Sequence, residues 1–193
     1  MSPGDRLGEA LKALADGLAD SQRPAMIIGG IAAIAYGVAR LTRDIDATVL
    51  GEGTDLSELL HTLARHAIEP RIAGALEFVQ RHDVLLLRHE PTGVDVDLSI
   101  ARLPFEEQAL ATASSAVVRG ATLRLVRAED LVVYKIVAWR PQDQQDVERL
   151  IALHGDHMDL RRVRALASDV ATALEEPERL AQVEEIIGRT RSR

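Results

Sequence analysis

Two pairs of carboxylates stand one residue apart in this chain: Asp44 and Asp46 in "RDIDATVL", Asp95 and Asp97 in "GVDVDLSI". In an extended strand, residues i and i+2 point to the same face. Each pair would project side by side, with Ile45, Val94, Val96 and Leu98 turned the other way. Like charges so placed repel, and one takes up a proton unless a cation sits between them. A divalent ion that prefers hard oxygen ligands, Mg²⁺ or Mn²⁺, relieves the repulsion. If the two strands are neighbours, three carboxylates converge, which is the ligand set of a two-metal phosphoryl-transfer site. The plainer reading puts each pair on a solvated strand face. Two pairs in segments that are otherwise apolar favour metal.

Upstream, Gly29 and Gly30 separate the short apolar run "AMII" from an alanine-rich stretch. A glycine turn before a helix lets the backbone approach a phosphate and offers it free N–H groups. Neither a Gly-x-Gly-x-x-Gly nor a P-loop lysine is present, so Rossmann and P-loop readings do not fit. Lysine is scarce: the chain has 21 arginines and only two lysines. Lys135, in "DLVVYKIVAW", has Leu131, Val132, Ala138 and Trp139 as helical neighbours, so it lies on an apolar stripe. It reads either as a snorkelling side chain or as an ammonium held at a cleft to meet a phosphate. Asp143 and Asp146 follow in "RPQDQQD". Asp143 is expected to cap a helix N-terminus, with Asp146 favouring the same end. A weaker metal candidate, His154, Asp156 and His157, reads as an interhelical loop around Gly155.

Those residues need elements to hold them. Helical spacing predicts helices at Asp5–Ala19, Ile31–Ala39, Asp55–Ala67 and Pro104–Ala113. Strands are expected at Ala25–Ile28, Asp44–Leu50, Val84–Arg88 and Val94–Ile100, the last two forming a hairpin around Pro91-Thr92-Gly93. A second hairpin, Ala116–Val118 with Leu123–Val126, turns at Gly120. From Ala128 onward the pattern is helical: Glu129–Trp139, Asp143–His154, Leu160–Leu174 and Glu178–Gly188. The fold class is therefore α+β: a mixed sheet flanked by helices, with a helical C-terminal third. The expected division is a core over 1–127 and a helical region over 128–193 packed on it as one compact unit.

Composition narrows the rest. The chain has 193 residues, 47% of them hydrophobic, enough for one sizeable core. It has no cysteine, so any metal must use Asp, Glu or His. The net charge of −7 argues against broad nonspecific nucleic-acid binding, and Arg161, Arg162 and Arg164 read as a solvated helix face. No apolar run reaches the length of a membrane span, and a cytoplasmic protein is expected.

Taken together, "GGIAAIAYGVARLTRDID", "VDLSIARLPFEEQAL", "AEDLVVYK" and "RPQDQQD" resemble the nucleotidyltransferase superfamily that shares its fold with DNA polymerase beta. Its signature is a Gly-Gly or Gly-Ser, a short spacer, an Asp-x-Asp, and a third carboxylate on a later strand. Here thirteen residues separate Gly30 from Asp44. Within the superfamily the chain is similar to the AbiEii-like group over about Ala25–Leu153, departing from it at Ala47 and Thr48, where a larger apolar residue is common. The resemblance implies a metal-dependent enzyme that moves a nucleoside monophosphate from a nucleoside triphosphate to an acceptor hydroxyl. Asp44 and Asp46 would hold Mg²⁺ or Mn²⁺, and Asp97 would be the third ligand, with Asp95 the alternative. Gly29, Gly30, Thr42, Arg43 and Lys135 would bind the nucleotide, Lys135 also serving catalysis. Arg40, Asp143 and Asp146 would support the site. The group includes toxins of toxin–antitoxin pairs, some acting on tRNA ends, which implies tRNA and a cognate antitoxin as partners. A small-molecule or protein acceptor, or a non-catalytic nucleotide-binding module, are the alternatives.

Overall fold

The computed structural model describes residues 3–191, so the outermost residues of both expected regions lie outside it. It divides into two compact units. The first holds the chain up to Ile31 and Leu41–Val126; the second holds Ala32–Arg40 and the chain from Arg127 onward. No helix among the described residues is long and apolar enough to cross a membrane.

The first unit is built on a mixed sheet, seven-stranded among the described residues. Its strands are β1 (Ala25–Ile27), β2 (Ile45–Leu50), β3 (Ile68–Pro70), β4 (Val84–His89), β5 (Val94–Ala101), β6 (Ser114–Val118) and β7 (Ala121–Leu125), in the order β3-β4-β5-β2-β1-β7-β6. β2 runs parallel to β5, and β1 parallel to β7; the other neighbours are antiparallel. Strict alternation along β4 and β5 gives the sheet two characters. Leu85, Leu87, Val96 and Leu98 are fully buried on one face, while Leu86, Arg88, Asp95, Asp97 and Ser99 are half-buried on the other. Helix α1 (Pro3–Asp20) buries Leu7, Leu11, Leu14 and Leu18, the i, i+4, i+7 stripe, and packs against β7 and β5. Helix α3 (Leu56–Ala64) begins at Asp55, whose carboxylate accepts the backbone N–H groups of Ser57 and Glu58. Helix α5 (Pro104–Thr112) starts on Pro104, and Glu106 reaches back to accept the N–H of Leu103 at 3.0 Å.

Both expected hairpins form, at the expected turns. Two elements were not anticipated: β3, and helix α4 (Ala75–His82). β3 has three residues, ends in proline and pairs on one side only, so it carries no alternation to read. The buried helix expected over Ile31–Ala39 is shifted. Helix α2 runs Gly29–Ala35, beginning at the glycines themselves. It ends early because Gly37 takes a left-handed φ of 85°. The N–H of Gly37 then bonds Ile34 O, and that of Val38 bonds Ala33 O, a Schellman closure.

The second unit is helical: α6 (Ala128–Ala138), α7 (Pro141–His154), α8 (Leu160–Ala173) and α9 (Pro177–Arg191), with the stretch 32–40. α6 is buried almost all round and packs on α7 and α8, while α9 closes on α7 and α8.

At the β4–β5 turn, His89 is 3% exposed, and its Nδ1 lies 2.8 Å from Thr92 Oγ1. Burial pushes its pKa below the ordinary histidine value, against the opposing pull of Glu9 and Glu90. The unfolded chain therefore takes up a proton near pH 6.5 that the folded chain resists. Stability should fall as pH drops below that value, and His89→Gln should flatten the fall, read as urea midpoints between pH 7.5 and 5.

Candidate functional site

In the first unit the site residues gather where β1 ends and β2 begins, beside the middle of β5. The antiparallel pairing of β1 with β2 sets Ile27 opposite Ala47, and the N–H of Ile28 donates to Asp46 O at 3.0 Å. The chain then turns through Gly29 at φ 61° directly onto the Asp46 carboxylate. A Cβ on Gly29 would lie 1.9 Å from Asp46 Oδ2, so no side chain fits there. The N–H of Gly30 points at the same oxygen from 3.4 Å, a long contact.

The parallel pairing of β2 with β5 places Asp46 directly beside Asp97. Thr48 and Ser99 form the next pair on that face, and Thr48 Oγ1 is buried without a hydrogen bond. Asp44 lies one residue before β2, exposed, and its Oδ1 accepts the Thr42 hydroxyl at 2.9 Å. Thr42 is thereby tied to a carboxylate. Arg43 is exposed.

Asp95 and Asp97 have different neighbours. Asp95 accepts the Arg88 Nε–H at 2.7 Å, across the hairpin. Arg71, just past β3, reaches both: Nη2 lies 2.8 Å from Asp97 Oδ1, and Nη1 lies 3.5 Å from Asp95 Oδ2. The contact at Asp97 is one of charge without an aligned hydrogen bond, because Oδ1 is buried and lacks one. Sequence reasoning missed both arginines. Arg88 was legible, since the hairpin register sets it opposite Asp95; Arg71 was hidden with the unread strand β3.

Among the described residues, no group of three or more His, Asp or Glu side chains stands gathered to hold a metal. Asp46 and Asp97 are adjacent, and Asp44 sits just off the strand end. The donors nonetheless fit Mg²⁺ or Mn²⁺. They are hard oxygens, and Asp97 Oδ1 is buried with no hydrogen bond to satisfy it.

In the second unit a separate charged cluster forms. Lys135 is 5% exposed, and its Nζ lies 2.9 Å from Asp143 Oδ1 and 3.1 Å from Asp146 Oδ2. Arg40 Nη1 meets the same Asp146 oxygen at 2.5 Å. Lys135 does not snorkel; its ammonium is buried between two carboxylates. Asp143 is not the N-cap. Arg140 is, and Asp143, three residues on, accepts the Arg140 backbone N–H at 3.1 Å. Burial pushes the Asp143 carboxyl up, but the hydrogen bonds and charges of Lys135 and Arg140 outweigh this and hold it below the usual carboxylate value. His154 Nε2 is occupied by Tyr36 O at 2.8 Å. Of the arginine patch, Arg162 pairs with buried Asp130 and Arg164 with Glu184.

The family described as "Nucleotidyl transferase of unknown function (DUF2204)" matches residues 7–185. No curated protein sequence matches the chain. Solved structures that share its fold include two of ANT(2'')-Ia. The solution structure of the antibiotic-resistance factor ANT(2'')-Ia is 19% identical, covers 88% of this chain and 94% of its own, and has a TM-score of 0.57. The crystal structure of ANT(2'')-Ia in complex with adenylyl-2''-tobramycin is 20% identical, covers 84% and 95%, and has a TM-score of 0.54.

Removing Lys135 would leave two buried carboxylates, Asp146 facing Arg40 and Asp143 facing Arg140, without the ammonium that joins them. Lys135→Met should lower the unfolding free energy by about 3–5 kcal/mol, the cost of breaking a buried pair. A lysine that only met a phosphate would leave chemical denaturation of the free protein unchanged.

Proposed function

Since the chain belongs to this nucleotidyl transferase family, we propose that it moves a nucleoside monophosphate from a nucleoside triphosphate to an acceptor hydroxyl, releasing pyrophosphate. The observation that carries this reading is the adjacency of Asp46 and Asp97 on parallel strands, with Gly29 turned against Asp46. Asp46 and Asp97, joined by Asp44 from the strand end, would hold Mg²⁺ or Mn²⁺. The bound ion supplies charge neutralisation at the α-phosphate and a lowered pKa for the acceptor hydroxyl.

The chain's own groups do the rest. Asp97 accepts the acceptor's proton. Gly29 lets the backbone lie against the Asp46 carboxylate, and the Gly30 N–H, aimed over a long 3.4 Å at Asp46 Oδ2, would turn to a bound phosphate. Arg43, exposed two residues before Ile45, adds positive charge. Thr42 orients Asp44 through their hydrogen bond. Lys135 is held within the second unit, where Asp143 and Asp146 pair with it and Arg40 shares Asp146. Such a reaction runs where nucleoside triphosphates are, in the cytoplasm.

Two acceptor classes follow. The similarity to the AbiEii-like group leads to tRNA ends, with the chain as the toxin of a toxin–antitoxin pair. The fold shared with ANT(2'')-Ia, solved with an adenylylated tobramycin, leads to a small hydroxylated molecule. The net charge of −7 favours the second over bulk RNA binding.

Incubation with each α-labelled triphosphate, Mg²⁺ and total RNA separates them. Label in a tRNA-sized band establishes the RNA acceptor; pyrophosphate release only on adding small-molecule extract establishes the other. Asp46→Asn and Asp97→Asn should each cut turnover by more than the roughly 10–100-fold that loss of an outer partner brings. Full turnover in both variants would overturn the proposal.

A further inference from the structure

Arg71 is the one cation in contact with Asp97 among the described residues, and its side chain is 21% exposed. It stands at the start of the β3–α4 connection, where its backbone N–H donates to Leu86 O at 3.0 Å. That bond fixes the base of the side chain on the sheet. The guanidinium then lies along the polar face, with Nη1 3.5 Å from Leu87 O and from Asp95 Oδ2. It ends 2.8 Å from Asp97 Oδ1.

Resting on the metal-dependent reading above, we propose that Arg71 is the counter-ion that Asp97 exchanges for the metal. In the metal-free protein a carboxylate beside Asp46 needs a positive charge close by. Arg71 supplies it without making an aligned hydrogen bond to Asp97 Oδ1, so little directional bonding is lost on release. Asp95 is the standby partner. It already lies within reach of Arg71 and bonds Arg88, so a guanidinium that leaves Asp97 keeps a carboxylate and a carbonyl. The two carboxylates of "VDVD" thus take different parts: Asp97 serves the metal, and Asp95 receives the arginine that the metal displaces.

Exchange predicts effects of opposite sign from two neighbouring residues. Mn²⁺ titrated into the full chain, with free Mn²⁺ read by electron paramagnetic resonance, measures affinity without turnover. Arg71→Gln removes the competing charge and should tighten Mn²⁺ binding about tenfold. Asp95→Asn strips Arg71 of its second partner, commits it to Asp97 and should weaken binding. In the Arg71→Gln background the Asp95→Asn effect should shrink, because the arginine that transmits it is gone.

An Arg71→Gln protein that binds Mn²⁺ no tighter than wild type overturns the exchange, as does an Asp95→Asn effect of the same size in both backgrounds. If Arg71→Gln does not fold, Arg71→Lys carries the test, since it shortens the two-pronged reach: tighter binding supports exchange, and unchanged binding overturns it. Asp46→Asn and Asp97→Asn tell the two readings apart. Mn²⁺ binding that survives both removes the metal site and the exchange together. Binding lost in both, with Arg71→Gln at wild-type affinity, removes the exchange alone.

Discussion

The contact between Gly29 and Asp46 constrains the rest of the first unit. With 1.9 Å between a hypothetical Cβ and a carboxylate oxygen, the two can coexist only as backbone against side chain. Three conditions must hold together. β1 must pair with β2 in the register that puts Ile27 opposite Ala47. The chain must leave β1 through a left-handed residue. Asp46 must face away from the core that Ile45 and Ala47 fill. A slip of one residue would turn Asp46 inward and an alanine or isoleucine outward, so the hydrophobic core enforces the polar geometry.

The second unit handles charge in the opposite way. Around Asp46 and Asp97 the carboxylates sit on a half-buried face. Around Lys135 they are buried, with Asp146 fully so. Removing these groups from water is costly, and their mutual attraction offsets that cost only when the geometry is held. Lys135 and Arg40 share one Asp146 oxygen, and Arg140 and Lys135 divide Asp143 between them. The ammonium that sequence spacing set on an apolar stripe is thereby immobilised.

Much of this was legible in the sequence. Alternation in "VDVDLSI" and the turn at Pro91-Thr92-Gly93 specify the central hairpin, and with it the facing of both carboxylates. Long helices with clear apolar stripes, such as α1 and α8, fall where periodicity puts them. What was not legible is what depends on partners distant in the chain. β2 lies beside β5 through a parallel pairing across some fifty residues, which no local pattern encodes. The sequence leaves Lys135 between a snorkelling side chain and a phosphate-binding ammonium, because Asp143 and Asp146 reach it only once α6 and α7 pack. The short end of α2 was readable in principle, since Gly37 stands where a helix-closing glycine belongs, but the alanine run before it argued for a longer helix.

The stretch 32–40 belongs with the helices that follow Val126, although the sheet strands lie between them in sequence. It is stitched to α7 by its backbone: Tyr36 O accepts from His154, and Ala39 O accepts from Arg149 at 3.1 Å. The polypeptide therefore crosses from one unit to the other three times, after Ile31, Arg40 and Val126. A modular protein can be cut at one linker and its halves traded by recombination. This one cannot: truncation at residue 126 would strip α7 from the segment that leads straight into Thr42, Arg43 and Asp44. The helical third is thus tied to the carboxylate-bearing strand by the chain itself, since the residues that lead into Thr42, Arg43 and Asp44 fold with it.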